Sequence, residues 1–99
     1  MKFSHDYSVY ILLCSDGTYY TGMTNSMDRR LREHTQSVDP TCYTFTRRPL
    51  ELKYFEHFKY VNDAARREKQ IKRWSHAKKE ALINGDVEAL SRLAKGKRP

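Results

Sequence analysis

The chain has 99 residues, 38% hydrophobic and 31% charged, which suits one small domain with a modest core and leaves no room for a second. Lys and Arg number 19 against 12 Asp and Glu, a formal charge of +7 that attracts polyanions, nucleic acid foremost. No apolar run reaches the roughly 18 residues of a membrane span, and "MKFSHDYSVY" lacks the apolar segment of a secretory signal, so a cytoplasmic location is expected.

"YSVYILLC", residues 7 to 14, predicts a β-strand: it is rich in β-branched and aromatic residues and has no stripe of helical period. Cys14 in this strand and the distant Cys42 form no C-x-x-C pair and are expected to stay reduced. "SDG" at 15 to 17 is a turn and "TYYTG" at 18 to 22 the return strand. A two-residue Asp16-Gly17 turn pairs Leu13 with Tyr20 and puts Tyr10 and Tyr20 on opposite faces. A three-residue loop with Gly17 left-handed pairs Leu12 with Tyr20 and Tyr10 with Gly22, so both phenols share a face. The second is preferred, because it lets the tyrosines cooperate.

Asn25 or Ser26 can cap a helix running to about residue 36, on which Met27, Arg30, Leu31 and His34 form one stripe. Residues 37 to 49 are polar and turn-rich and read as a loop closed by Pro49, and "LELKYFEHF", 50 to 58, is a third strand. A helix then starts near Asn62, its expected cap, and covers "DAARREKQIKRW", with Glu68 in the middle of its least polar face. Ser75 caps "HAKKEALI", Asn84-Gly85 ends it, and Asp86 caps "VEALSRLAK". The expected fold is α+β: a small, mostly antiparallel three-stranded sheet flanked by helices, with extra C-terminal helices.

Three features on this scaffold could carry chemistry: two tyrosines on a hairpin, Arg30 with His34 on one helix face, and Glu68 on the inner side of a later helix. A carboxylate on an apolar stripe is costly unless it is paired or holds a metal. Taken singly, each has a bland reading: packing for the tyrosines, a hydrogen-bonded half-buried histidine, an ion pair of Glu68 with Arg30 or Lys72.

Together, "SVY" at 8 to 10, "YTG" at 20 to 22, Arg30, His34 and Glu68 in that order resemble the GIY-YIG nuclease superfamily. The resemblance runs from Tyr7 to about Ile83. "YTGMTNSMDRRLREH", "TRRP" and "RREKQIKRWSHAKKEALI" look like its small stand-alone bacterial branch, related to the nuclease domain of the excision-repair incision subunit. It implies a nuclease-like domain over residues 5–83, with 84–99 a C-terminal helix and basic tail packed on it or trailing it. Ser8 and Val9 replace the first motif's glycine and isoleucine, and Thr21 the second motif's isoleucine. Met23 stands where some relatives carry a lysine, and Glu80 is nearest to where they carry an asparagine.

The resemblance implies phosphodiester hydrolysis with one Mg²⁺ or Mn²⁺. Glu68 would hold the ion, waters and phosphate oxygens completing its shell. Arg30 would stabilise charge on the phosphoryl oxygens. Tyr10 is the favoured proton acceptor from the attacking water, which requires its pKa to fall from about 10. Tyr20 and His34 would orient water or phosphate or share the proton transfer, and Gly22 would let the substrate approach the backbone. Outside the centre, Arg29, Arg32, Arg47, Arg48, Arg66, Arg67, Lys69, Lys72 and Arg73 are candidates for phosphate contacts, with Arg47, Arg48 and Lys72 favoured. Tyr43 and Phe45 could stack on an unpaired base. The implied partner is nucleic acid, DNA ahead of RNA, branched or damaged DNA included. Two other classes remain open: a binding module that keeps the fold with weak or lost chemistry, and a protein-interaction domain with an acidic partner.

Overall fold

The computed structural model describes residues 6–36 and 46–95. Three strands and four helices follow one another: β1 Tyr7–Leu13, β2 Tyr19–Thr24, α1 Met27–Gln36, β3 Glu51–Phe58, α2 Val61–Lys72, α3 His76–Asn84 and α4 Val87–Lys95. The strands make one sheet in the order β2-β1-β3, both pairs antiparallel. The expected α+β architecture is therefore observed. β1 is the central strand and is buried on both faces, which is why its sequence is a continuous apolar run and not an alternation.

The hairpin closes as the three-residue loop. Gly17 has φ 86°, its N–H donates to the Cys14 carbonyl at 2.9 Å, and the Cys14 N–H donates to the Thr18 carbonyl at 2.9 Å. Asp16 fixes the turn by accepting from the Thr18 amide at 3.1 Å and the Thr18 hydroxyl at 2.7 Å. The resulting register pairs Leu12 with Tyr20 and Tyr10 with Gly22.

Alternation along β1 assigns the two faces of the sheet. Val9 and Ile11 join Ala64 and Ile71 of α2 and Leu82 of α3 in the core, with Tyr54, Phe58, Trp74 and Leu90 packed around them. Tyr10 points to the other face, where it meets Arg30 and His34 of α1. The sheet is thus held between α1 and α2. Leu90, packed against the core, shows that α4 joins the same body, and α4 lies against α3.

Ser26 caps α1 by accepting from the Arg29 amide at 3.4 Å, and Ser75 caps α3 by accepting from the Lys78 amide at 3.2 Å. Asp86 caps α4 in the same way, accepting from the Ala89 amide at 3.0 Å. The start of α2 differs from expectation. Tyr60, in extended backbone and without a side-chain cap bond, is the N-cap, and Asn62 lies inside the first turn. Burial of Ala64 and Ile71 against the sheet sets where this helix runs, so a good capping residue nearby does not decide its first turn. Its last turn tightens before Trp74, with Trp74 N–H donating to the Ile71 carbonyl at 3.0 Å.

Gly22 is required by the packing. A Cβ placed there would meet the Tyr10 phenol, lying 2.6 Å from its Cζ, and Tyr10 is fully buried. The close approach expected of this glycine is therefore made by Tyr10 and not by substrate. Gly22→Ala should cost about 1–3 kcal/mol, the usual penalty of overpacking a filled site. A denaturant midpoint unchanged from wild type would show that the phenol can move aside.

Candidate active site

Four of the five predicted side chains meet on the α1 side of the sheet. Tyr10 is the hub. The Arg30 Nε donates to the Tyr10 hydroxyl at 3.1 Å, and that hydroxyl lies 3.0 Å from His34 Nε2. The ring centroids of Tyr10 and Tyr20 are 6.3 Å apart, and His34 lies edge-on to Tyr10 at 5.9 Å and to Tyr20 at 5.1 Å. Arg30 and His34 reach the same phenol because they stand one turn apart on α1.

The protonation states follow from burial and charge. Burial and the positive Arg30 hold His34 below its ordinary pKa, so its imidazole is neutral. We assign the proton of the Tyr10–His34 bond to the phenol, since Tyr10 already accepts from Arg30 and an unprotonated Nε2 can accept in turn. Burial pushes the Tyr10 phenol up to about 12, outweighing the lowering by Arg30. The fall in pKa expected of a general base is not found here. A bond to Tyr10 and a further one to Glu33 keep the guanidinium firmly charged; the Glu33 bond runs from Nη1 at 2.9 Å.

Glu68 approaches from the other face. It belongs to α2, and its carboxylate is close enough to Tyr10 for its charge to add to the rise in the phenol's pKa. Arg67, the preceding residue, reaches Glu56 on β3, with Nη2 donating at 2.8 Å, so Glu68 falls on the β2 side of the helix. Its partner is Lys72, whose Nζ lies 3.1 Å from Oε2. The i,i+4 pair anticipated as the bland reading thus exists. Lys72, expected on phosphate, serves as the counter-ion of Glu68.

The other predicted contacts divide. Arg47 donates through Nε to Asp16 Oδ2 at 3.1 Å, and its carbonyl accepts from the Ser15 amide at 2.8 Å, so it ties its segment to the hairpin turn. Its charge is partnered by Asp16 in a pair that stays partly exposed. Arg48 is half-buried. Tyr43 and Phe45 lie outside the described residues. Thr21, one of the departures from the motif, is a buried polar residue. It is 3% exposed, and its Oγ1 has no hydrogen-bond partner among the described residues, which costs about 1–3 kcal/mol relative to an aliphatic side chain. Among the described residues no three His, Cys, Asp or Glu side chains gather as a metal cluster, and no helix is long and apolar enough to cross a membrane.

The lowered pKa of His34 has a consequence for stability. Unfolded, the imidazole takes a proton near pH 6.5; folded, it resists until lower pH, so stability is full above about 6.5 and falls as pH drops through the folded value. Denaturant titrations between about pH 5 and 8 should show this loss, and His34→Gln should flatten it. Identical slopes for wild type and variant would show that the folded imidazole accepts the proton freely.

Comparison with known proteins agrees with this arrangement. The profile described as "GIY-YIG catalytic domain" matches residues 6–81. UPF0213 protein VNG_2274C of Halobacterium salinarum is 48% identical over 75 residues, covering 76% of this chain and 96% of that protein. The solution NMR structure of UPF0213 protein BH0048 from Bacillus halodurans superposes with a TM-score of 0.53 at 37% identity, covering 89% of this chain and 96% of the other. That of protein EF2693 from E. faecalis gives 0.60 at 28% identity, covering 86% and 90%. With the sheet order, the paired phenols and this profile in agreement, the chain belongs to the GIY-YIG catalytic-domain family.

Proposed function

We propose that this domain is a metal-dependent endonuclease that hydrolyses phosphodiester bonds in DNA. The family implies a nuclease acting on nucleic acid. The observation that carries the reading is the hydrogen-bonded set of Arg30, Tyr10 and His34, with Tyr20 against it and the Glu68 charge within reach of Tyr10.

The residues fit one hard cation. Glu68 is a partly open carboxylate, its side chain 21% exposed, and Lys72 beside it is 54% exposed. An exposed pair of this kind is worth about 0–1 kcal/mol, so Lys72 can yield its place. A single carboxylate suits Mg²⁺ or Mn²⁺, which keep several waters and take further oxygens from substrate. Bound there, the ion would supply Lewis-acid polarisation of a phosphoryl oxygen.

The side chains then divide the work. Arg30, anchored by Tyr10 and Glu33 and still partly exposed, offers its fork to the charge that grows on phosphorus-bound oxygens. Tyr10 is buried and holds its proton, which makes it a positioning residue for Arg30 and His34. Tyr20 is the half-exposed phenol and takes the contact with attacking water or phosphate. His34, neutral and edge-on to Tyr20, has its acceptor nitrogen engaged by Tyr10 and so positions the two phenols.

Incubation with Mg²⁺ or Mn²⁺ and a panel of duplex, branched and damaged DNA should give nicking. Arg30→Ala should lower the rate by about 10²–10³-fold, as loss of a transition-state donor does. Glu68→Ala should abolish both cleavage and Mn²⁺ binding measured by electron paramagnetic resonance. Tyr20→Phe should cut kcat by about 10²-fold or more with little change in KM. Full activity in Tyr20→Phe, with the loss found in Tyr10→Phe, would reverse the two assignments. The Lys72–Glu68 pair favours a second reading, a binding module with the carboxylate neutralised. That reading predicts salt-sensitive DNA binding without cleavage of any substrate by folded, metal-replete protein.

A further inference from the structure

The outer side of α2 carries a surface that the reaction centre leaves unused. Ala64 and Ile71 face the core, so Arg66, Lys69 and Arg73 fall on the far side of the helix, all exposed. With Gln70 and Trp74 they line a groove. Trp74 is held at its end by cations, with Arg67 Cζ 5.3 Å and Lys78 Nζ 4.4 Å from its ring. Arg67 is occupied by Glu56, with Nη2 donating at 2.8 Å, and Arg66 leans on Asp63 at 3.3 Å. Lys69 and Arg73 have no acidic partner among the described residues.

A row of exposed helix cations is ordinarily a solvated surface. Two features set this one apart. It forms a concavity with an aromatic wall where a solvated helix face would be convex. It is also continuous with the reaction centre: round the helix from Glu68, the side chains of Lys72, Lys69 and Arg73 follow in steps of about 40–60°. From Arg66 to Arg73 the helix rises about 10 Å, a length that spans roughly three phosphates of one strand.

We propose that Lys69, Arg73 and Trp74 hold the phosphate backbone of nucleic acid beyond the scissile bond, as a contact separate from the one that cleaves. The path away from Glu68 rests on the nuclease reading; the binding itself does not.

Trp74 is the only tryptophan in the chain and therefore reports from the groove. An oligonucleotide titrated into the protein in chelator should change its emission, and Glu68→Ala should keep that change. Lys69→Ala/Arg73→Ala should weaken binding at least tenfold and reduce the slope of log K against log salt by about 1.4–1.8, two phosphates' worth. In cleavage it should raise KM and leave kcat unchanged. Lys53→Ala/Arg92→Ala removes the same charge elsewhere and should leave the slope nearly as it was. Equal losses in the two double variants, or the same emission change with poly-glutamate, would overturn the proposal. The slope change in a protein that cuts nothing would keep the groove and sink the nuclease. Cleavage with an unaltered slope would do the reverse.

Discussion

The structure turns on one buried phenol. Tyr10 lies over Gly22, fully buried, and among the described residues its hydroxyl is satisfied by Arg30 and His34. A buried hydroxyl without such partners costs on the order of 1–3 kcal/mol, and a guanidinium brought against it must also find acceptors. The hairpin register, the glycine and the position of α1 are thereby tied together. Displacing any one of them leaves polar groups stranded in a core that is otherwise filled.

That constraint also sets the chemistry available. Burial makes Tyr10 a poor base and a good anchor, while Tyr20 on the neighbouring strand keeps access to solvent. The sheet divides the labour: the arginine, phenols and imidazole come from one side, and the carboxylate from α2 on the other. Glu68 is held by Lys72 and Arg67 by Glu56, so much of the positive charge of α2 near the sheet is answered internally. The cations left unanswered are turned outward. The same distinction separates Arg47, tied to Asp16, from Lys69 and Arg73.

The departures from the family pattern are absorbed unequally. Ser8 is buried beside His57, with its hydroxyl 3.4 Å from Nδ1, and so has a partner. Thr21 has none for its hydroxyl among the described residues, in a position where an aliphatic side chain would be cheaper. Its cost is small beside the packing of the core, and the fold is retained.

The sequence by itself determined the three strands and the caps at Ser75 and Asp86 and narrowed the hairpin to two loops, because turn and cap chemistry act between neighbours in the chain; the register between those two loops was decided by the folded sheet. The order of tyrosines, arginine, histidine and glutamate was equally legible, since helical and strand periods decide which side chains share a face. The start of α2 was not: burial against the sheet outweighed a good capping residue at Asn62. Nor could the sequence tell that Tyr10 is the buried phenol and Tyr20 the open one, that Gly22 makes room for Tyr10, or that Lys72 and Arg47 serve acidic partners within the fold. Those outcomes depend on distances between segments far apart in the chain, and burial and charge take their values only once the segments have met.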